Sequence, residues 1–373
     1  REFEVPAHPC LASRRSTGAA EDAVATLNNP ATSTAAASRL STIQFRNFSV
    51  DLMTLHLVMK ALKMSSDIKT LTFHNAGLTG ASIAILVEQL QHTSVRSLNL
   101  DYSLPSCLLT ASSASSERQQ RLSVEEEQLA NEAAPVSSPS RPNIAGLVGE
   151  VSKLKALSLR GNGLRDVDAI ELAEAIEQNT VLCSLSLFDN KITDNGGAAL
   201  AKALRLNTVL RGLSLARNSL TSASAEVFGL LLAGGYEVSA AEQEKRAIVD
   251  AKIAAQNKIA QDAMKKKKDA KVETRLPLST VVVRTAEDGS SKAIAGGNRS
   301  LVTLNLAENR ELGAGGALLR FLSMIAESRR EKAGEAGDTG AGGAGSAAGA
   351  VVLQELHLEH CQGHVEEEEE EDE

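Results

Sequence analysis

The chain has 373 residues, of which 43% are hydrophobic and only 2% aromatic, with no tryptophan. That length and apolar content suffice for a sizeable core, while so few aromatics argue against a surface that stacks nucleic-acid bases. The formal net charge is −8 and the last eight residues, from Glu366 to Glu373, are all acidic, so the rest is near neutrality and nothing marks a DNA binder.

Residues 1–39 read as a poorly ordered arm. From about residue 40 an apolar phrase of the form L-x-x-L-x-L recurs, first as Ile43/Phe45, then as Ile68/Leu71/Phe73 and Val95/Leu98/Leu100. The next residues with this phrase are Leu154/Leu157/Leu159, Leu182/Leu185/Leu187 and Leu210/Leu213/Leu215, three copies set 28 residues apart. Leu301/Leu304/Leu306 and Leu353/Leu356/Leu358 complete eight. A fixed period of this length means a solenoid. Each phrase predicts a short strand with its leucines inward. A second apolar set, such as Leu172/Ala173/Ile176 and Leu200/Ala201/Leu204, predicts one helix per repeat. The expected fold class is therefore α/β: a leucine-rich repeat solenoid curved into a horseshoe, parallel sheet inside and helices outside, with disordered insertions.

Three residues after the last leucine of the central phrases stand Asn162, Asn190, Asn218 and Asn309. Their amides can bond backbone groups of the neighbouring coil, as rungs of a structural ladder. Phe48, Ala76, Ser103 and Cys361 take that position in the end copies, where less regular repeats are expected.

The repeat domain is expected over 40–358, interrupted at about 106–141, 236–298 and 333–350, with an acidic disordered tail over 359–373. The first insertion is rich in Ser, Glu and Gln and reads as a solvated loop. The second predicts a helix over ~240 to 264, with Ile248, Ala251, Ala255, Ile259 and Ala263 at helical spacing. That narrow, Ala-rich stripe reads as a mostly solvated face, with docking on a partner or on the horseshoe as the alternative. Lys265 to Lys268 follow as a solvated charge cluster, with nuclear targeting or polyanion binding as the alternative, then a short extended V-V-V-R. The Gly/Ala-rich third insertion reads as a flexible loop; no strand leads into its G-A-G-G-A-G and no G-K-[ST] follows, which excludes a phosphate loop.

The four cysteines show no paired spacing, which favours a reducing compartment, and no apolar run reaches the length of a membrane span. His357, His360, Cys361 and His364 lie close enough in sequence to tempt a zinc reading. Cys361 falls at a rung position and His357 alternates with strand leucines, so a structural role is preferred and no metal or other cofactor is expected. The usual signatures of hydrolases, NTPases and redox enzymes are missing, so no enzyme is expected either.

By alternation, the central strands turn Ser158, Arg160, Ser186, Phe188, Ser214 and Asn305 toward the concave wall. This wall of small residues would let a helix approach closely, either a partner's or the chain's own inserted one, with Phe188 beside Arg160 as an anchor. An equal alternative is a wall that is small because nothing binds it.

The phrase pattern with its Asn rungs resembles the ribonuclease-inhibitor-like class of leucine-rich repeats. More narrowly, I-Q-F-R-N-F-S-V at 43–50, S-L-N-L-D-Y-S-L-P at 97–105, A-L-R-L-N-T-V-L-R-G-L-S-L-A-R-N at 203–218 and the Lys-rich insertion before G-N-R-S-L-V-T-L-N-L-A-E-N-R at 297–310 resemble the leucine-rich repeat-containing protein 71 family. That resemblance implies a non-catalytic ciliary protein and transfers no catalytic residue. The expected function is a protein-binding scaffold in the cytoplasm or the ciliary axoneme, whose partners are other proteins and neither nucleic acid nor membrane. The alternative is a small-GTPase regulator resembling Ran GTPase-activating proteins, an analogy at the level of fold.

Overall fold

The computed structural model describes residues 41–104, 142–149, 151–266, 277–278, 281–285, 291–337 and 353–361. The expectations placed on the arm 1–39, on the insertion at 106–141 and on the acidic tail beyond Cys361 lie outside them.

Strand and outer helix alternate along the chain. The first half runs β1 (Thr42–Arg46), α1 (Leu52–Met64), β2 (Thr70–His74), α2 (Gly80–Leu90), β3 (Ser97–Asp101) and β4 (Ala156–Ser158). Next come α3 (Asp166–Gln178), β5 (Ser184–Ser186), α4 (Asp194–Leu204), β6 (Gly212–Ser214) and α5 (Ser222–Ala233). The second insertion contributes β7 (Gly234–Glu237), α6 (Ala240–Lys266), β8 (Val281–Thr285) and β9 (Ser291–Gly296). The chain then returns through β10 (Thr303–Asn305), α7 (Ala317–Gly337) and β11 (Glu355–His357).

Eight strands form one parallel sheet in the order β1-β2-β3-β4-β5-β6-β10-β11. The register aligns the phrase leucines coil by coil: Leu71 faces Leu98, which faces Leu157, then Leu185, Leu213, Leu304 and Leu356. From Leu71 to Leu304 this row is at most 2% exposed. The helices close the core from outside, with Met59, Leu86, Leu172, Leu200 and Phe228 buried against the strand leucines. Each fully buried Leu contributes about 1.5–3 kcal/mol. No coil could bury its apolar side alone, so stability accrues by stacking.

Helix starts are tied to the stack as well as to their own caps. Asp51 accepts from the Thr54 N–H at the head of α1, and Thr79 and Ser82 form a reciprocal box at the head of α2. In the central coils the cap comes from the preceding repeat. Asp166, the first residue of α3, accepts from the backbone and hydroxyl of Thr193 at the start of α4, and Asp194 does the same for Thr221 at the start of α5.

The second insertion departs from its expected character. Beyond the anticipated helix, its described residues fold as a small antiparallel sheet in the order β7-β9-β8 around Tyr236, Val238, Ala293 and Ala295. The expectation that this helix could fill the concavity is corrected. α6 instead meets the C-terminal ends of the outer helices, where Lys245 pairs with Glu177 at 2.7 Å and Arg205 lies 3.7 Å from Glu242. The face turned inward carries Arg246 and Ile253, buried at 3% and 5%. Ile248, Ala251, Ala255 and Ile259 form the exposed face, because the polar contacts of Glu242 and Arg246 set the helix's rotation. The third insertion also begins differently: α7 runs to Gly337, through the start of the segment read as a loop, and 338–350 lies outside the described residues.

Candidate interaction wall

Every residue of the expected wall sits on the open side of the sheet, in two registers. Ser158, Ser186, Ser214 and Asn305 lie side by side in one row. One step toward the strand ends, Arg160 and Phe188 occupy adjacent coils, with the Arg160 guanidinium 4.1 Å from the centre of the Phe188 ring. The Ser158 hydroxyl donates to Asp101, and the Asn305 side chain accepts from the Ala307 N–H, so these two are engaged within the wall.

The Asn rungs form a continuous ladder just behind that edge. Asn162 donates to Leu100 O, Asn190 to Leu159 O, Asn218 to Leu187 O and Asn309 to Leu215 O, each reaching back one coil. Their carbonyl oxygens accept backbone N–H groups of the same earlier coil: Ser103 and Leu104 on Asn162, Asn162 and Leu164 on Asn190, Ile192 on Asn218, and Asn218 and Leu220 on Asn309. Buried backbone groups need such partners wherever sheet bonding has ended. In the last coil the Cys361 thiol approaches Leu306 O at 3.3 Å, and burial pushes that thiol above its usual pKa. Cys361, assigned to the tail by sequence, belongs to the final coil. His357 and His360 belong to the same coil, His364 lies outside the described residues, and among the described residues no group of three metal-ligating side chains converges.

The residue before each rung has a left-handed backbone: Asn47, Asn75, Tyr102, Gly161, Asp189, Arg217, Glu308 and His360, with φ between +51° and +66°. This places their side chains along the rim, where they build a patch that sequence reasoning did not anticipate. Tyr102 passes over Gly161 and donates its hydroxyl to Asp189 at 2.8 Å, while Arg217 pairs with the other Asp189 oxygen at 3.2 Å. Arg160 is also 5.9 Å from the Tyr102 ring, so one cation stands between two aromatic faces. The available signal was positional: these residues recur immediately before the rung.

A second ladder was also missed. Asn179, Asn207 and Asn298 stand three residues before the first leucine of their phrases and donate to Val148 O, Ile176 O and Leu204 O of the preceding coil. Their oxygens accept the N–H groups of Leu182, Leu210 and Leu301. The recurrence of N-T-V-L at 179–182 and 207–210 carried the clue.

A family model described as a leucine-rich repeat matches residues 152–173, 178–201 and 297–319. These coils are leucine-rich repeats. No curated protein matches the chain. Among the described residues, no helix is long and apolar enough to cross a membrane. Leucine-rich repeat proteins are in general protein-binding scaffolds, whose stacked coils supply an extended concave surface. In this leucine-rich repeat wall the floor is small and uncharged through Ser158, Ser186, Gly212 and Ser214, and the bulky groups gather at one edge.

Proposed function

We propose that the chain is a non-catalytic scaffold that binds another protein on its concave leucine-rich repeat wall. The carrying observation is Arg160 held over Phe188 beside a floor of Ser158, Ser186, Ser214 and Asn305. A rigid aromatic and an arginine make good anchors, and the small floor lets a helix or strand approach closely. The partner is a protein, and no bound cofactor takes part. A place in the ciliary axoneme is supported by the resemblance to the leucine-rich repeat-containing protein 71 family.

Proximity labelling with the tagged chain in ciliated cells, followed by detergent extraction, tests the reading. Retention with microtubule-associated neighbours is the expected result, and Ser186→Trp with Ser214→Trp is expected to abolish their capture. Capture unchanged by the two tryptophans would remove the concave wall from the proposal. Faster GTP hydrolysis by Ran in the presence of the chain would instead support the GTPase-regulator alternative.

A further inference from the structure

The opposite rim of the wall carries a different chemistry. The residue preceding each strand forms its own row, joined coil to coil by backbone bonds from Arg96 N to Lys69 O, Lys155 N to Arg96 O, Cys183 N to Lys155 O and Arg211 N to Cys183 O. Four of these five consecutive positions are basic. Lys69, Lys155 and Arg211 are exposed and Arg96 is half-buried. Lys69 and Arg96 bond backbone carbonyls, Ser66 O and Val95 O. The neighbouring row on the sheet, from Thr70 to Gly212, is uncharged. Strand spacing therefore sets one positive charge about every 4.8 Å, with a single gap at Cys183.

The chain also carries the complement. The eight acidic residues 366–373 account for its whole net charge. They begin five residues beyond Cys361, at the opposite end of the last coil. Twelve residues follow Cys361, and extended they span about 40 Å. A diagonal path over the small floor to Arg211 needs about 22 Å, to Lys155 about 28 Å and to Lys69 about 35 Å. Taken in turn, the path to Arg211 and on across four strand spacings to Lys69 is about 41 Å, so the acidic block has the length to reach Arg211, Lys155 and Arg96 and meets Lys69 only at full extension.

We propose that residues 366–373 lie on the Lys69–Arg96–Lys155–Arg211 rim, which makes the rim an acidic-peptide site that the chain occupies in cis. The tail then crosses the floor that the proposed partner would use, although the contact itself does not depend on that partner. Zero-length carbodiimide coupling of lysine to carboxylate in the full chain, mapped by mass spectrometry, tests it. The expected result is Lys155 and Lys69 joined to tail glutamates within the monomer. The yield should be independent of protein concentration and several-fold lower in 1 M salt than in 0.1 M, where charges interact over about 10 Å. Tail residues joined only to Lys265–Lys268, joined only in dimers, or joined to no lysine would overturn the proposal. As a second measurement, a labelled peptide of sequence 366–373 should bind a chain truncated after His364 at least tenfold more tightly than the full chain. It should lose that gain in R211E, a surface change checked by an unaltered thermal midpoint. Equal binding to truncated and full chains would equally overturn it.

Discussion

The Tyr102 hydroxyl donates to the Asp189 carboxylate across 87 positions of sequence, and the ring that makes this reach lies directly over Gly161. Adding a Cβ at Gly161 would place it 2.0 Å from Tyr102 Cε1, at a backbone φ of +66°. G161A should therefore displace the ring and strain the turn, costing about 1–3 kcal/mol. The midpoint of urea unfolding checks this, with Y102F as the control: it keeps the ring, loses one exposed hydrogen bond and should cost about 1 kcal/mol or less.

Replacing Asn190 by Ala strips a rung that serves two coils at once. The N–H groups of Asn162 and Leu164 and the carbonyl of Leu159 lose their partner in a buried setting. The expected loss is about 2–4 kcal/mol. Asn207→Ala should cost a similar amount through Ile176 O and the N–H of Leu210. Equilibrium unfolding of both variants would check whether the two edges of the coil matter alike.

Acid should loosen the stack through Asp194. Burial works to raise its pKa, but hydrogen bonds from Ser224 and Thr221 together outweigh this and hold the carboxyl below its ordinary value of 3.8. A depressed folded-state value means that the group's contribution is fully present above the unfolded-state pKa. It is lost as pH falls from about 3.8 through the folded-state value. D194N should lose stability at neutral pH and show a shallower acid decline than the parent, measured by thermal midpoints between pH 6 and pH 2.

The second insertion should detach without unfolding the repeats. Arg246, 3% exposed, donates to the Tyr236 hydroxyl at 3.1 Å and to Arg205 O at 3.3 Å, while Arg205 stacks 4.1 Å from the Tyr236 ring. Arg246→Ala leaves Glu242 with less of its counter-charge and opens a gap under α6. Hydrogen exchange should rise by an order of magnitude or more in 240–262 and remain unchanged in the strands β4 to β6.

The repeats could be read from the order of residues because the 28-residue period links each leucine to a buried row and each rung Asn to the coil before it. Phe188 and Arg160 could be placed by simple alternation. Tyr102 could not, since its role depends on a left-handed backbone and on Asp189, brought close only by stacking across an insertion. In α6 the stripe reads as a solvated face and is exposed, whereas its inward face, with Arg246 and Ile253, could not be placed for a related reason. Its apolar stripe, Ile248 to Ile259, is the more conspicuous pattern, yet Glu242 and Arg246 find charged and aromatic partners on Arg205 and Tyr236. Helical periodicity in α6 alone carries no information about those partners.

Both Asn ladders run unbroken past the second insertion, with Asn218 bonded to Asn309 and Asn207 to Asn298, each 91 residues apart. Elsewhere neighbouring coils are joined over 27 or 28 residues, apart from the 59 between Ser103 and Asn162 and the 52 between Asn309 and Cys361. Loop closure makes the 91-residue joint about 1 kcal/mol costlier to form than a 28-residue one, before any contact repays it. Folding that starts in the regular coils β4 to β6 would spread quickly among them and pause at this seam. The same joint that leaves no mark on the finished sheet is where the growing stack must wait for its last two coils.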